Sequence, residues 1–262
     1  MSRSNPNEEL VNPCKHWFQW DGDKGGFKSY DKETKKNVSI PLPFRFLYLD
    51  SLITVTGYNE PEGVGYYSNE VRDIKDVMTV RSKNGIEMTG NWEQIKEKMS
   101  AKGADFCQSV YIAFYEGKTL VLGNIKMKGA ALGPWFDFRK ANNVMDIGIS
   151  VKEMKEGKKG KVVYQMPVFS VLDIKPATNE LAIEIDKPLQ EYLKAYLAKN
   201  KSTTETTAEP IKSESKSEVK VEDKPKIDSL PKDFDVEEKP IVGGDESDEE
   251  PLVVPQPGLT QK

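Results

Sequence analysis

Between Trp17 and Ile174 short runs rich in β-branched and aromatic residues are separated by turn-forming residues, and only a few short stretches carry the spacing of a helix. Trp17 to Trp20 and Gly26 to Tyr30 predict a hairpin around the Gly- and Asp-rich turn at 21–26, with a second charged turn from Asp31 to Asn37. Pro41-Leu42-Pro43 leads into Phe44 to Tyr58, which is rich in β-branched and aromatic residues and predicts one long strand or two bent ones. Asn59 to Tyr67 reads as a loop. Val77 to Arg81 and Ile86 to Thr89 predict a hairpin across Asn84-Gly85. Phe106 to Tyr115 and Lys118 to Met127 predict another across Glu116-Gly117, and Met145 to Met154 with Lys161 to Ile174 a third.

Three segments carry helical spacing instead. Trp92, Ile95 and Met99 predict a helix over 91–102 that Gly103 ends. Residues 129–141 predict a second, with a restart at Gly133-Pro134, where a proline in the first turn costs no hydrogen bond. Leu189, Leu193 and Leu197 share a face with Tyr192 and Tyr196, predicting a helix over 186–199 capped by Asp186. Short strands around tight turns with a few helices give a mainly β or α+β domain, and a small closed barrel with appended hairpins and short helices is one economical way to remove the sheet edges.

Composition changes this picture at one boundary. Residues 1–200 hold 29 Lys and Arg against 26 Asp and Glu, whereas 201–262 hold 9 Lys against 16 acids, and 23 of the 24 aromatics precede position 200. The second segment has too little to bury to offset the entropy of folding. The organisation read from the sequence is therefore a flexible start at 1–12, one folded domain at 13–199 and a disordered acidic tail at 200–262. Polar residues stand where a signal peptide would be apolar, and the apolar runs fall short of the ~20 residues of a membrane span. The expected setting is the cytoplasm, with Cys14 and Cys107 as packed free thiols.

The residues that catalysis needs are sparse. His16 is the single histidine, which excludes a two-histidine metal site, and Cys14-x-His16 lacks further ligands. A Ser-His-Asp arrangement would have to use that same residue. Gly22 to Ser29 approaches a phosphate-binding loop, but Phe27 occupies the required glycine, so the segment reads as a hairpin turn. No metal, no cofactor and no enzymatic activity are expected.

The remaining pattern suits binding. Lysines interleave with aromatics at Lys15, Trp17 and Trp20, at Lys24, Phe27, Lys28 and Tyr30, and at Lys126, Lys128, Trp135 and Arg139. Single-stranded nucleic acid is held by this combination, cations following phosphates and rings stacking on bases. The candidate contacts are Lys24, Lys28, Tyr30, Tyr66, Tyr67, Arg72, Lys126, Lys128, Trp135 and Arg139, with Lys158, Lys159 and Lys161 at a basic hairpin tip. For any one ring, packing in the core is the competing reading. In the tail, Asp245, Glu246, Asp248, Glu249 and Glu250 precede an apolar island containing Leu252 and Val253, a pattern that can compete for a cationic groove or recruit replication proteins.

The segments NPCKHWFQWDGDKGGFKSYDKE, IPLPFRFLYLD, YYSNEVRD and IKMKGAALGPWFDFRKAN resemble a family of single-stranded DNA-binding proteins of tailed phages, notably crAss-like phages, over roughly residues 5–198. The resemblance implies an OB-type fold and a role in coating single-stranded DNA during phage replication or recombination in the host cytoplasm, with self-association left open. It assigns no individual contact residue. The tail is similar in kind to those of such binders but ends in Gly258-Leu-Thr-Gln-Lys262 rather than an aromatic. The alternative is a virion or scaffolding module that binds protein and no nucleic acid; a nuclease with unrecognised acids is a third.

Overall fold

The computed structural model describes residues 11–31 and 34–206. Among them the protein is mostly β, with strands β1 (His16–Trp20), β2 (Phe27–Asp31), β3 (Lys36–Ile40), β4 (Phe44–Asn59), β5 (Val64–Ser68), β6 (Met78–Ser82), β7 (Gly85–Gly90), β8 (Ala104–Glu116), β9 (Thr119–Met127), β10 (Gly148–Lys159) and β11 (Val162–Leu172). The helices are α1 (Trp92–Ala101), α2 (Leu132–Ala141), preceded by a 3₁₀ turn at Gly129–Ala131, and α3 (Pro176–Thr206). None of the described helices is long and apolar enough to cross a membrane.

All the strands join one sheet, in the order β3-β2-β1-β9-β8-β4-β5-β6-β7, with β10 and β11 branching from β4. Every pairing is antiparallel except β1 with β9. The small closed barrel expected from the strands is not formed among the described residues, and the reason lies in β4. One edge of this strand pairs with β8 from Leu47 to Gly57. The other edge is divided: Phe44 to Leu47 take β10, and Thr56 to Asn59 take β5. The two groups of strands continue from separate stretches of that edge, and β3 and β7 remain unpaired ends of the path among the described residues.

Alternation sorts side chains to the two faces. Phe18, Trp20, Phe27, Phe46, Ile112, Ile125, Met127 and Ile149 fill the inner core, closed by Trp135 of α2. On the opposite face Leu49, Leu52, Tyr111, Ala113 and Leu120 receive Ala182, Leu189 and Leu193 of α3. A third core holds Val55, Tyr66, Met78 and Val80 under Ile95 and Met99 of α1. The start of α1 is a capping box, in which Asn91 Oδ1 accepts from Gln94 N at 3.1 Å and Gln94 Oε1 accepts from Asn91 N at 3.0 Å. Gly103, at φ +77°, ends the segment as the sequence predicts.

Three elements differ from the expectation. The second turn at 31–37 is shorter, because Lys36 to Ile40 form β3 against β2. The loop over 59–67 contains β5, whose Val64 and Tyr66 are buried. The last helix starts ten residues early, at Pro176, and places Asp186 inside it, bonded to Gln190 at 3.0 Å. Pro188 removes one intrahelical bond, yet the helix continues through it because Ala182, Leu189 and Leu193 are all buried on the sheet.

Candidate nucleic-acid interface

The strands β3, β2, β1 and β9 align polar side chains into a row. Ser39 lies opposite Lys28, Lys28 opposite Gln19, Gln19 beside Lys126, and Lys126 opposite Ser109 of β8. Directly paired residues share a face, so all five point away from the core that holds Phe18, Trp20 and Phe27. Two residues along each strand lies a second row. Tyr30 is opposite Asn37 and Trp17 beside Asn124. The β1–β2 register, continued one step beyond Phe18 and Ser29, sets Trp17 opposite Tyr30.

Trp17 is 38% exposed and Tyr30 57% exposed. Neither ring packs on another aromatic among the described residues. Two exposed rings and two half-buried lysines thus share one face of the sheet, beside the part where α3 packs and Ser109 and Asn124 are buried.

Beneath this surface the charges are ordered. Lys126 Nζ donates to Glu70 Oε1 at 2.5 Å and to Ser109 Oγ at 2.8 Å, and lies 5.6 Å from the centre of the Trp17 ring. Tyr111 donates its hydroxyl to Glu70 Oε2 at 2.6 Å, and Glu70 N donates to the Tyr196 hydroxyl of α3 at 2.9 Å. Burial pushes the Glu70 carboxyl up, but the Lys126 charge and the hydrogen bonds from Lys126, Tyr111 and Ser109 outweigh it and hold the group below its ordinary value. Asn124 Nδ2 donates to Ser109 Oγ at 2.7 Å.

At the rim, Lys28 pairs with Asp21 at 3.4 Å, while Lys24 is exposed on the β1–β2 turn. The turn meets the β10–β11 ribbon. Gln165 N donates to Gly22 O at 2.6 Å, and Trp20 Nε1 donates to Gln165 O at 2.8 Å. Beyond Val151 the ribbon leaves β4, and its exposed lysines include Lys155, Lys158, Lys159 and Lys161.

Of the residues singled out in the sequence, Lys28, Tyr30 and Lys126 come together on this face. Lys128 is half-buried two residues beyond Lys126, and Lys24 borders the face. Others do not join them. Tyr66 is 3% exposed and Trp135 fully buried, its indole donating to Gln108 Oε1 at 2.8 Å, so both belong to cores and neither offers a ring to a base. Arg139 lies on α2, across the sheet, 5.4 Å from the Tyr48 ring centre. Arg72 forms a two-pronged pair with Asp50 that occupies its guanidinium, one contact being Nη2 to Oδ2 at 2.8 Å. Tyr67 is exposed on β5, away from the rows. Trp20 and Phe27, interleaved with lysines in the sequence, are buried. Asp245, Glu246, Asp248, Glu249, Glu250, Leu252 and Val253 lie outside the described residues.

Gln19, Ser39 and Glu70 were not singled out from the sequence. Trp17 belongs to the lysine–aromatic pattern but not to the selected contacts. The alternation in His16-Trp-Phe-Gln-Trp20 carries the signal that separates outward Trp17 from inward Trp20.

Both thiols are buried. Burial is the main cause that pushes Cys14 up to about 12 and Cys107 up to about 11, so neither serves as a thiolate near neutral pH. Among the described residues no group of three acids, cysteines or histidines is placed to hold a metal ion. A separate pocket of about 500 Å³ opens where β4, β8 and β10 end, walled by Phe46, Phe114 and Leu172 with Arg45 and Lys175 at its rim.

No family model matches this chain, and no curated protein or solved structure matches it either.

Proposed function

We propose that this protein binds single-stranded DNA without catalysing a reaction, on the open face of β1, β2 and β3 next to β9. The observation that supports it best is the pair of exposed rings, Trp17 and Tyr30, opposite one another beside the in-register row of Lys28, Gln19 and Lys126. Base–ring stacking is worth about 1–3 kcal/mol per base and tolerates any sequence. Lys24 and the ribbon lysines 155, 158, 159 and 161 make no ion pair among the described residues and continue the cationic path past the β1–β2 turn. An incompletely closed, OB-like sheet is the scaffold in this reading. Coating exposed strands in phage replication or recombination is the role that the sequence resemblance implies. The tail, with 16 acids against 9 lysines over 201–262, lowers the net charge by seven, and its acids compete with phosphate for the same cations.

Fluorescence titration with oligo-dT at ~50 mM salt tests the reading, since electrostatic binding is strongest there. Wild type and a variant lacking 207–262 should bind, the shorter one more tightly, and W17A and Y30A should each lose about fivefold or more. Failure of both full-length and shortened protein to bind discards the proposal.

A second reading, a protein-binding module, is favoured by the exposed valines of β11, Val162 at 64%, Val163 at 47% and Val171 at 47%. Association with a protein partner that is insensitive to salt, together with absent oligo-dT binding, would select it.

A further inference from the structure

Lys126 has more polar partners than Lys28 or Lys24 on the face, and those partners argue against phosphate contact. An ammonium has three N–H donors. Two are committed, to Glu70 Oε1 at 2.5 Å and Ser109 Oγ at 2.8 Å, and the group sits 5.6 Å from the Trp17 ring centre, within the range of a cation–ring attraction. Glu70 neutralises the charge. It is itself fixed from two sides, by the Tyr111 hydroxyl on β8 and by the Tyr196 hydroxyl of α3 against its backbone N–H. A phosphate arriving at Lys126 would have to break a short pair with a carboxylate that is already largely buried.

We infer that Lys126 is a positioning residue: with Glu70 it braces the Trp17 ring for stacking and does not hold the DNA backbone. The inference rests on the strand-binding reading for its purpose but not for its geometry. Glu70, Tyr111, Tyr196, Lys126 and Trp17 form one continuous chain of contacts from α3 along the same face of the sheet to the exposed ring. The ring is thereby held before a strand arrives, so binding does not have to order it.

Three variants test the brace. In strand-free protein, the ¹⁵N–¹H heteronuclear NOE of the Trp17 indole should fall in K126M and recover in K126R, which keeps a cation over the ring. An unchanged NOE in K126M overturns the brace whatever the protein binds. In oligo-dT titrations K126M should weaken binding about fivefold, the size of one cation–ring contact, with no change in the slope of log K against log salt. A slope reduced by about 0.7, the share of one single-strand phosphate contact, makes Lys126 a backbone contact and overturns the inference. In a W17A background, K126M should cost nothing more; a further fivefold loss there shows that Lys126 acts independently of the ring. A lowered NOE in K126M alongside wild-type protein that binds no oligo-dT supports the brace while removing the strand-binding proposal.

Discussion

The indole N–H of Trp20 donates to the carbonyl of Gln165 at 2.8 Å, joining β1 to β11 across 145 residues of chain. With the Gln165 N–H on Gly22 O, it is what fastens the β10–β11 ribbon to the β1–β2 turn. W20F keeps most of the buried ring and removes the donor. It should cost about 1 kcal/mol, the usual loss for a part-buried hydrogen bond. Hydrogen exchange should quicken at Met154 to Val163 while β8 and β9 keep their protection.

The Glu70 carboxyl is held below its ordinary value of 4.5 in the fold. A depressed folded pKa stabilises at pH above the unfolded value, and that contribution is lost as pH falls through the folded one. Urea unfolding should therefore show stability flat above the ordinary carboxylate range and declining below it. E70Q should be less stable by about 1–3 kcal/mol near neutrality, since it removes the charged partner of a half-buried Lys126, and its decline in acid should be shallower. Asp21 is also depressed: burial raises it, but the N–H groups of Lys24 and Asp23 and the charge and hydrogen bond of Lys28 outweigh that, so part of the acid sensitivity should survive in the variant.

Leu189 and Leu193 are fully buried between α3 and the sheet. L193A should cost about 2–5 kcal/mol, from lost apolar burial and the cavity left behind. Because Tyr196 bonds the Glu70 N–H one turn further along, the same substitution should also loosen the Trp17 indole, which NMR can follow.

Lys158, Lys159 and Lys161 are exposed at the ribbon tip. Changing all three to Gln should leave thermal stability within the small range of surface substitutions. If each meets a phosphate, the salt slope of oligo-dT binding should drop by about 2, three contacts at roughly 0.7 each. An unchanged slope would confine the DNA path to the sheet face.

Local pattern made much of this legible. The hairpin over 106–127, the helix over 91–102 and the long strand from Phe44 were readable because period and turn residues agree there. Lys36 to Ile40 is hard to read as a strand because two of its five residues, Asn37 and Ser39, are ordinary turn-formers and its stability comes from pairing with β2. Trp17 and Trp20 carry the same chemistry in sequence, and only the pleat separates them. Trp135, beside Arg139 and Lys128 in the text, was drawn into the core because Gln108 from a distant strand satisfies its N–H. In sequence Arg72 looks available because its partner Asp50 lies 22 residues away. Lone cations are legible in sequence; their counter-charges are a property of the fold.

The divided edge of β4 has a mechanical consequence. One strand of 16 residues contributes to the inner, α3-facing and α1-facing cores at once, so no core can melt while the others keep their full complement of neighbours. A defect introduced there should be felt as one cooperative transition rather than as the fraying of a single part, and the slowest-exchanging amides of the molecule should cluster along Leu47 to Gly57.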